Sequence, residues 1–242
     1  METQSLFLWG LAAALAAGPG ALLGTWSWFS RHAVGWATAA AAGLMLGIGY
    51  VLLAAGQARA PAATLLGAFV GLLAIRLADS GPVARAGEAA ATARLSAPAD
   101  TDAGEILASA LHSAAEGVAI GAAAGVSDPL ARFLLLTFAI HNVSEGAVLG
   151  ALLTRRGWRA GAASGMAVLA RTTQPLVAVS VVYLVAAVPG ALPWLLGASF
   201  GALLYLIVAE LLPQSYRLAG RTAIAVVASI AAGIVALMGG GG

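Results

Sequence analysis

The chain has no cysteine and no lysine, and only 9% of its 242 residues are charged. Without cysteine there can be no disulfide, no thiolate metal site and no cysteine nucleophile. So little charge excludes an ordinary soluble domain, in which about 25% of residues are charged. It also leaves no basic tract for nucleic acid, so a pI near 9.5 reflects a small excess of arginine over acid. What remains is 61% hydrophobic, with a mean hydropathy of +0.94 and 31 glycines. That is the composition of a polytopic membrane protein, in which spans of about 20 residues use up most of the length. A single transmembrane domain over residues 1–242 is expected, with no separate soluble unit.

Hydropathy and helix punctuation divide the chain into eight spans. They run Ser5 to Gly24, Val34 to Ala55, Ala62 to Leu77, Gly104 to Gly125, Pro129 to Leu153, Gly161 to Ala187, Ala191 to Leu212 and Thr222 to Met238. Pro175 interrupts the long sixth span. The N-terminal "METQSLFLWG" has no basic residue ahead of its apolar run, unlike a cleavable signal, so the first helix is expected to stay. Residues 79–103, rich in Pro, Gly, Ser and scattered charge, read as a mobile cytoplasmic loop between spans three and four.

Orientation follows from the arginines. With the N-terminus outside, Arg31, Arg76, Arg85, Arg94, Arg155, Arg156, Arg159, Arg217 and Arg221 fall on the cytoplasmic side, against Arg59 and Arg132 outside. The expected fold is therefore all-α, with eight transmembrane helices and both termini outside, in a bacterial-type inner or plasma membrane. Arg171 falls within span six.

Two of the three histidines lie in matching segments, "LHSAAEG" from Leu111 and "IHNVSEG" from Ile140. Each places a histidine four residues before a glutamate: His112 with Glu116, and His141 with Glu145. In a helix that spacing puts both side chains on one face. A carboxylate in mid-membrane is costly unless compensated, and intramembrane ionisable residues mark functional sites. The short "VSDPL" connector makes spans four and five antiparallel neighbours, and their motifs can be related by a pseudo-two-fold axis as in an inverted repeat. Two imidazoles and two carboxylates suit a divalent first-row metal, zinc most naturally. A metal-free proton relay or a buried hydrogen-bonded cluster is the alternative.

At these residues the chain resembles the ZIP family of divalent metal-ion transporters, along nearly its whole length. "HSAAEG" and "HNVSEG" are similar to that family's motifs on its fourth and fifth helices, Gln174 and Pro175 to its span-six Glu-Pro pair, and "GALLYLIVAELLPQS" from Gly201 to Ser215 to its seventh span. The resemblance implies alternating access toward the cytoplasm, a homodimer, lipid as surroundings and a divalent ion as substrate: Zn²⁺ first, then Cd²⁺, Fe²⁺, Mn²⁺ or Co²⁺. It implies neither an enzyme nor an organic cofactor. Carried over, it makes His112, Glu116, His141 and Glu145 the metal site.

In many relatives a second metal shares both glutamates, and the residues expected to complete that site are here the neutral Ser113, Asn142 and Gln174. One metal is therefore expected. Arg171, three residues before Gln174, either stands in for the second cation by pairing with Glu145 or Glu116, or reaches for the interface or Glu210. Glu210 either serves the exit path or pairs with an arginine. Ala115 and Ser144 replace the family's prolines, so the site helices should run straighter. A metal-binding membrane sensor and an intramembrane metal-dependent hydrolase are the competing functions, although no HExxH occurs.

Overall fold

The computed structural model describes residues 2–26, 31–79 and 102–239. Most of the connector expected at 79–103 lies outside these residues. Among the described residues the fold is all-α. The α-helices are α1 (Thr3–Leu15), α2 (Ala17–Gly24), α3 (Arg31–Gln57), α4 (Pro61–Asp79), α5 (Asp102–Val126), α6 (Asp128–Arg155), α7 (Ala160–Arg171), α8 (Thr173–Ala187), α9 (Leu192–Leu206), α10 (Leu212–Ala219) and α11 (Thr222–Gly239).

Prolines explain where long apolar runs break. Pro19 cannot donate to the carbonyl of Leu15, and the first run divides at Ala16 into α1 and α2. Pro175 likewise cannot donate to the carbonyl of Arg171, and α7 gives way to α8 at Thr172. A π-helical turn, Ile207–Leu211, joins α9 to α10 ahead of Pro213. By contrast, α5 and α6 run unbroken over 25 and 28 residues, with Ser127 capping the start of α6 through its hydroxyl.

Eight spans are not found among the described residues. Six helical segments among the described residues are long and apolar enough to cross a membrane: Thr3–Gly24, His32–Gln57, Pro61–Ala78, Asp128–Arg155, Ala160–Ala187 and Pro189–Ala219. Of the other two segments expected to span, α5 is not among these six. The apolar run of α11, Thr222–Leu237, is too short for a hydrocarbon core that takes about 20 helical residues to cross. The arginine count, the outside placement of both termini and the inverted repeat were built on eight spans and fall with that number. The chain remains an integral, multi-pass membrane protein. Because the first run is split, the site-bearing helices are the fifth and sixth in chain order, not the fourth and fifth.

Helix α6 packs against α1, α2 and α7, and α5 against α6, α8 and α9, while α3 lies against α9, α10 and α11. Small residues allow the closest of these approaches. A Cβ added at Gly20 or Gly24 of α2 would meet the backbone of Val143 or Ala147, and one at Gly146 or Gly150 of α6 would meet that of Ala17 or Ala21. Buried Ile120, Leu134, Phe138, Met45, Leu196 and Leu203 form the main core between the helices. On the outside, Leu65, Phe69, Leu136, Ile140 and Leu237 are exposed, as suits lipid contact.

Candidate metal centre

Helical spacing brings each His/Glu pair onto one face, and the crossing of α5 with α6 joins the two pairs. His112 Nε2 lies 3.6 Å from Glu116 Oε1 on its own helix and 3.2 Å from Glu145 Oε1 on the next. His141 Nε2 is 2.9 Å from both Glu145 Oε1 and Glu116 Oε1. One nitrogen or oxygen from each of the four residues fits within 4.8 Å of all the others. The imidazole rings are stacked, 5.9 Å apart and 17° from parallel, and Phe138 meets His141 edge-on.

These contacts do not satisfy the atoms that make them. His112 Nε2, His141 Nε2 and Glu116 Oε1 are buried without hydrogen-bond geometry to any partner. Buried polar atoms are nearly always hydrogen-bonded, so a set of unsatisfied lone pairs aimed into one small space is an unusual arrangement. It is what a cation would repair. Two imidazole nitrogens and two carboxylate oxygens form a complete four-ligand set for a divalent metal. The four residues thus make a buried cluster able to hold a metal ion.

Each carboxylate uses its two oxygens differently. Oε1 of Glu116 and of Glu145 face the imidazoles, while both Oε2 atoms turn to Arg171. Arg171 Nη1 is 3.5 Å from Glu116 Oε2, and Nη2 pairs closely with Glu145 Oε2. The side chain is only 3% exposed, so it neither snorkels outward nor extends to Glu210. Ser109, one turn before His112, supports the guanidinium by accepting from Nη2 at 3.2 Å. Arg171 also ends α7, at the break Pro175 imposes, and Ser113 Oγ donates to its freed carbonyl at 3.3 Å. Ser113 therefore serves the helix break and does not turn toward the four donor atoms.

Gln174 and Asn142 continue the network. Gln174 Nε2 donates to Glu116 Oε2 at 2.8 Å, and its Oε1 accepts from Asn142 Nδ2 at 3.2 Å. Asn142 Nδ2 also donates to the carbonyl of Ala13, in the last turn of α1, at 2.9 Å. Both residues are fully buried. Gly117 explains how α8 comes so near: a Cβ there would meet the carbonyl oxygen of Gln174 at 2.5 Å and Val177 Cβ at 2.9 Å. The glycine after each motif glutamate is thus a contact point for a neighbouring helix, Gly117 for α8 and Gly146 for α2.

Glu210 lies apart from the four-residue cluster. It sits on the π-helical turn with an exposed side chain. His32 is exposed as well, and its Nδ1 donates to the carbonyl of Leu218 at 2.5 Å, tying α3 to α10. Sequence reasoning missed Ser109 and the carbonyls of Ala13 and Arg171. Ser109 could have been found from its place three residues before His112 on the same face; the carbonyls depend on how broken helices dock.

A membrane protein holding a buried His/Glu cluster is, by class, one that can take a metal ion into its helical core. No protein-family model matches the chain. Over 122 residues, 50% of its length, it is 32% identical to an Arabidopsis thaliana protein described as a candidate zinc transporter. The chain spans only 20% of that relative's length.

Proposed function

We propose that this protein is a ZIP-type transporter that carries a divalent metal ion, zinc before others, across a plasma or bacterial-type inner membrane toward the cytoplasm. The observation that carries this reading is the convergence of His112, Glu116, His141 and Glu145 from two helices on one buried point, with lone pairs left unsatisfied. The motif resemblance and the partial likeness to a candidate zinc transporter favour transport over catalysis. A site buried among helices can load and discharge only if it opens to one side and then the other, so alternating access is the mechanism. Asn142 and Gln174 hold Glu116 in place during that cycle, and the polar face of α5 stays inside the bundle.

The test is uptake of Zn²⁺ into proteoliposomes, followed with an internal fluorescent dye. Saturable uptake by the wild type, lost in Glu116→Ala and Glu145→Ala, is expected. A protein that binds zinc without flux would be a sensor, and one that cleaves a membrane peptide in a zinc-dependent way would be a hydrolase. Either result overturns the proposal.

A further inference from the structure

The far side of the cluster carries a second message. The two carboxylates are used twice: their Oε1 atoms meet imidazole nitrogens, and their Oε2 atoms meet one guanidinium. Gln174 Nε2 joins at Glu116 Oε2, and Ser109 Oγ holds the guanidinium from behind. Two faces of one carboxylate pair are thus offered to two cations, one mobile and one covalently part of α7.

Charge counting gives the arrangement its consequence. With neutral imidazoles, Glu116 and Glu145 contribute two negative charges and Arg171 one positive, so the empty cluster carries a net charge of −1 and a divalent ion changes it to +1. A second divalent ion beside the guanidinium would bring it to +3 in a buried volume, where uncompensated charge is strongly disfavoured. The guanidinium also occupies the Oε2 atoms that such an ion would need.

We infer that Arg171 is a specificity-determining tethered cation: by filling the Oε2 face of the Glu116/Glu145 pair, it limits the site to one divalent ion and reserves that ion for the imidazole face. Without the guanidinium, the Oε2 face becomes a carboxylate position beside the side chains of Gln174 and Asn142. Such a position takes a further divalent cation.

The inference rests on the cluster being a metal site, and the test separates the two. Full-length protein in detergent is equilibrated with Zn²⁺, desalted, and its metal counted per chain by mass spectrometry. The wild type is expected to hold one ion, His112→Ala with His141→Ala none, and Arg171→Gln two. If the wild type binds none, or the double-alanine variant still binds one, the metal-site reading itself fails. Two ions in the wild type, or one in Arg171→Gln, overturn the inference and leave that reading standing. Gln174→Glu gives an independent measurement should Arg171→Gln not fold. It adds a carboxylate beside Glu116 Oε2 but keeps the guanidinium, so it is expected to hold one ion; two would show that the neutral glutamine, and not Arg171, sets the number.

Discussion

His141 Nε2 lies 2.9 Å from Oε1 of Glu116, a residue of the neighbouring helix, as close as it lies to Glu145 one turn further along its own. Neither motif is a site alone. The i, i+4 spacing makes two half-sites, and the α5–α6 crossing completes one centre from them.

It follows that either half-site alone is insufficient. Glu116→Gln and Glu145→Gln preserve side-chain shape but remove one anion each, and a divalent ion in a buried site needs both. Each variant is expected to abolish micromolar Zn²⁺ binding measured by isothermal titration calorimetry, while the helical circular dichroism of the fold persists.

Gln174 acts on the metal through Glu116. Its amide holds Oε2 at 2.8 Å and so orients Oε1 toward the imidazoles. Loss of such a supporting hydrogen bond commonly weakens metal affinity by about 10–100-fold. Gln174→Ala is expected to show a loss of that size in a competition titration against a zinc-binding dye.

Ser113 is the contrasting case. Its hydroxyl serves the carbonyl of Arg171 and is not aimed at the donor atoms. Hydrogen bonds between membrane helices contribute about 0.6 kcal/mol on average. Ser113→Ala is therefore expected to lower the thermal midpoint slightly in detergent and to leave Zn²⁺ affinity near that of the wild type.

Gly117 couples packing to the site. A methyl group there would press on the Gln174 carbonyl and on Val177, and α8 would have to move. Overpacking of this kind costs about 1–3 kcal/mol. Gly117→Ala is expected to lower both the thermal midpoint and, by pulling Gln174 from Glu116, the affinity for Zn²⁺. A lowered midpoint with affinity unchanged from the wild type would separate these two effects and argue against the coupling.

The four donor residues were legible because helical spacing is local: His112 to Glu116 and His141 to Glu145 need only a helix, and a short connector makes the helices neighbours. The break near Pro175 was legible for the same reason. Pro19 carried the same signal, yet the apolar run around it read as one span. The number of spans was not legible: the apolar run of α11, for one, is marginal in length. The destination of Arg171 was open between a carboxylate of the cluster, the interface and Glu210. That it meets both Glu116 and Glu145 depends on the angle at which α7 ends against α5, and no pattern along the chain encodes that angle. The Ser113 bond to the Arg171 carbonyl depends on the same docking.

The central claim is that His112, Glu116, His141 and Glu145 close together around one divalent ion. X-ray absorption at the zinc K-edge of the loaded protein tests it most directly. The account predicts two imidazole nitrogens and carboxylate oxygens at about 2.0–2.2 Å, with imidazole scattering falling by half in His112→Ala. A spectrum with no imidazole contribution, or one unchanged by loss of either histidine, would contradict it.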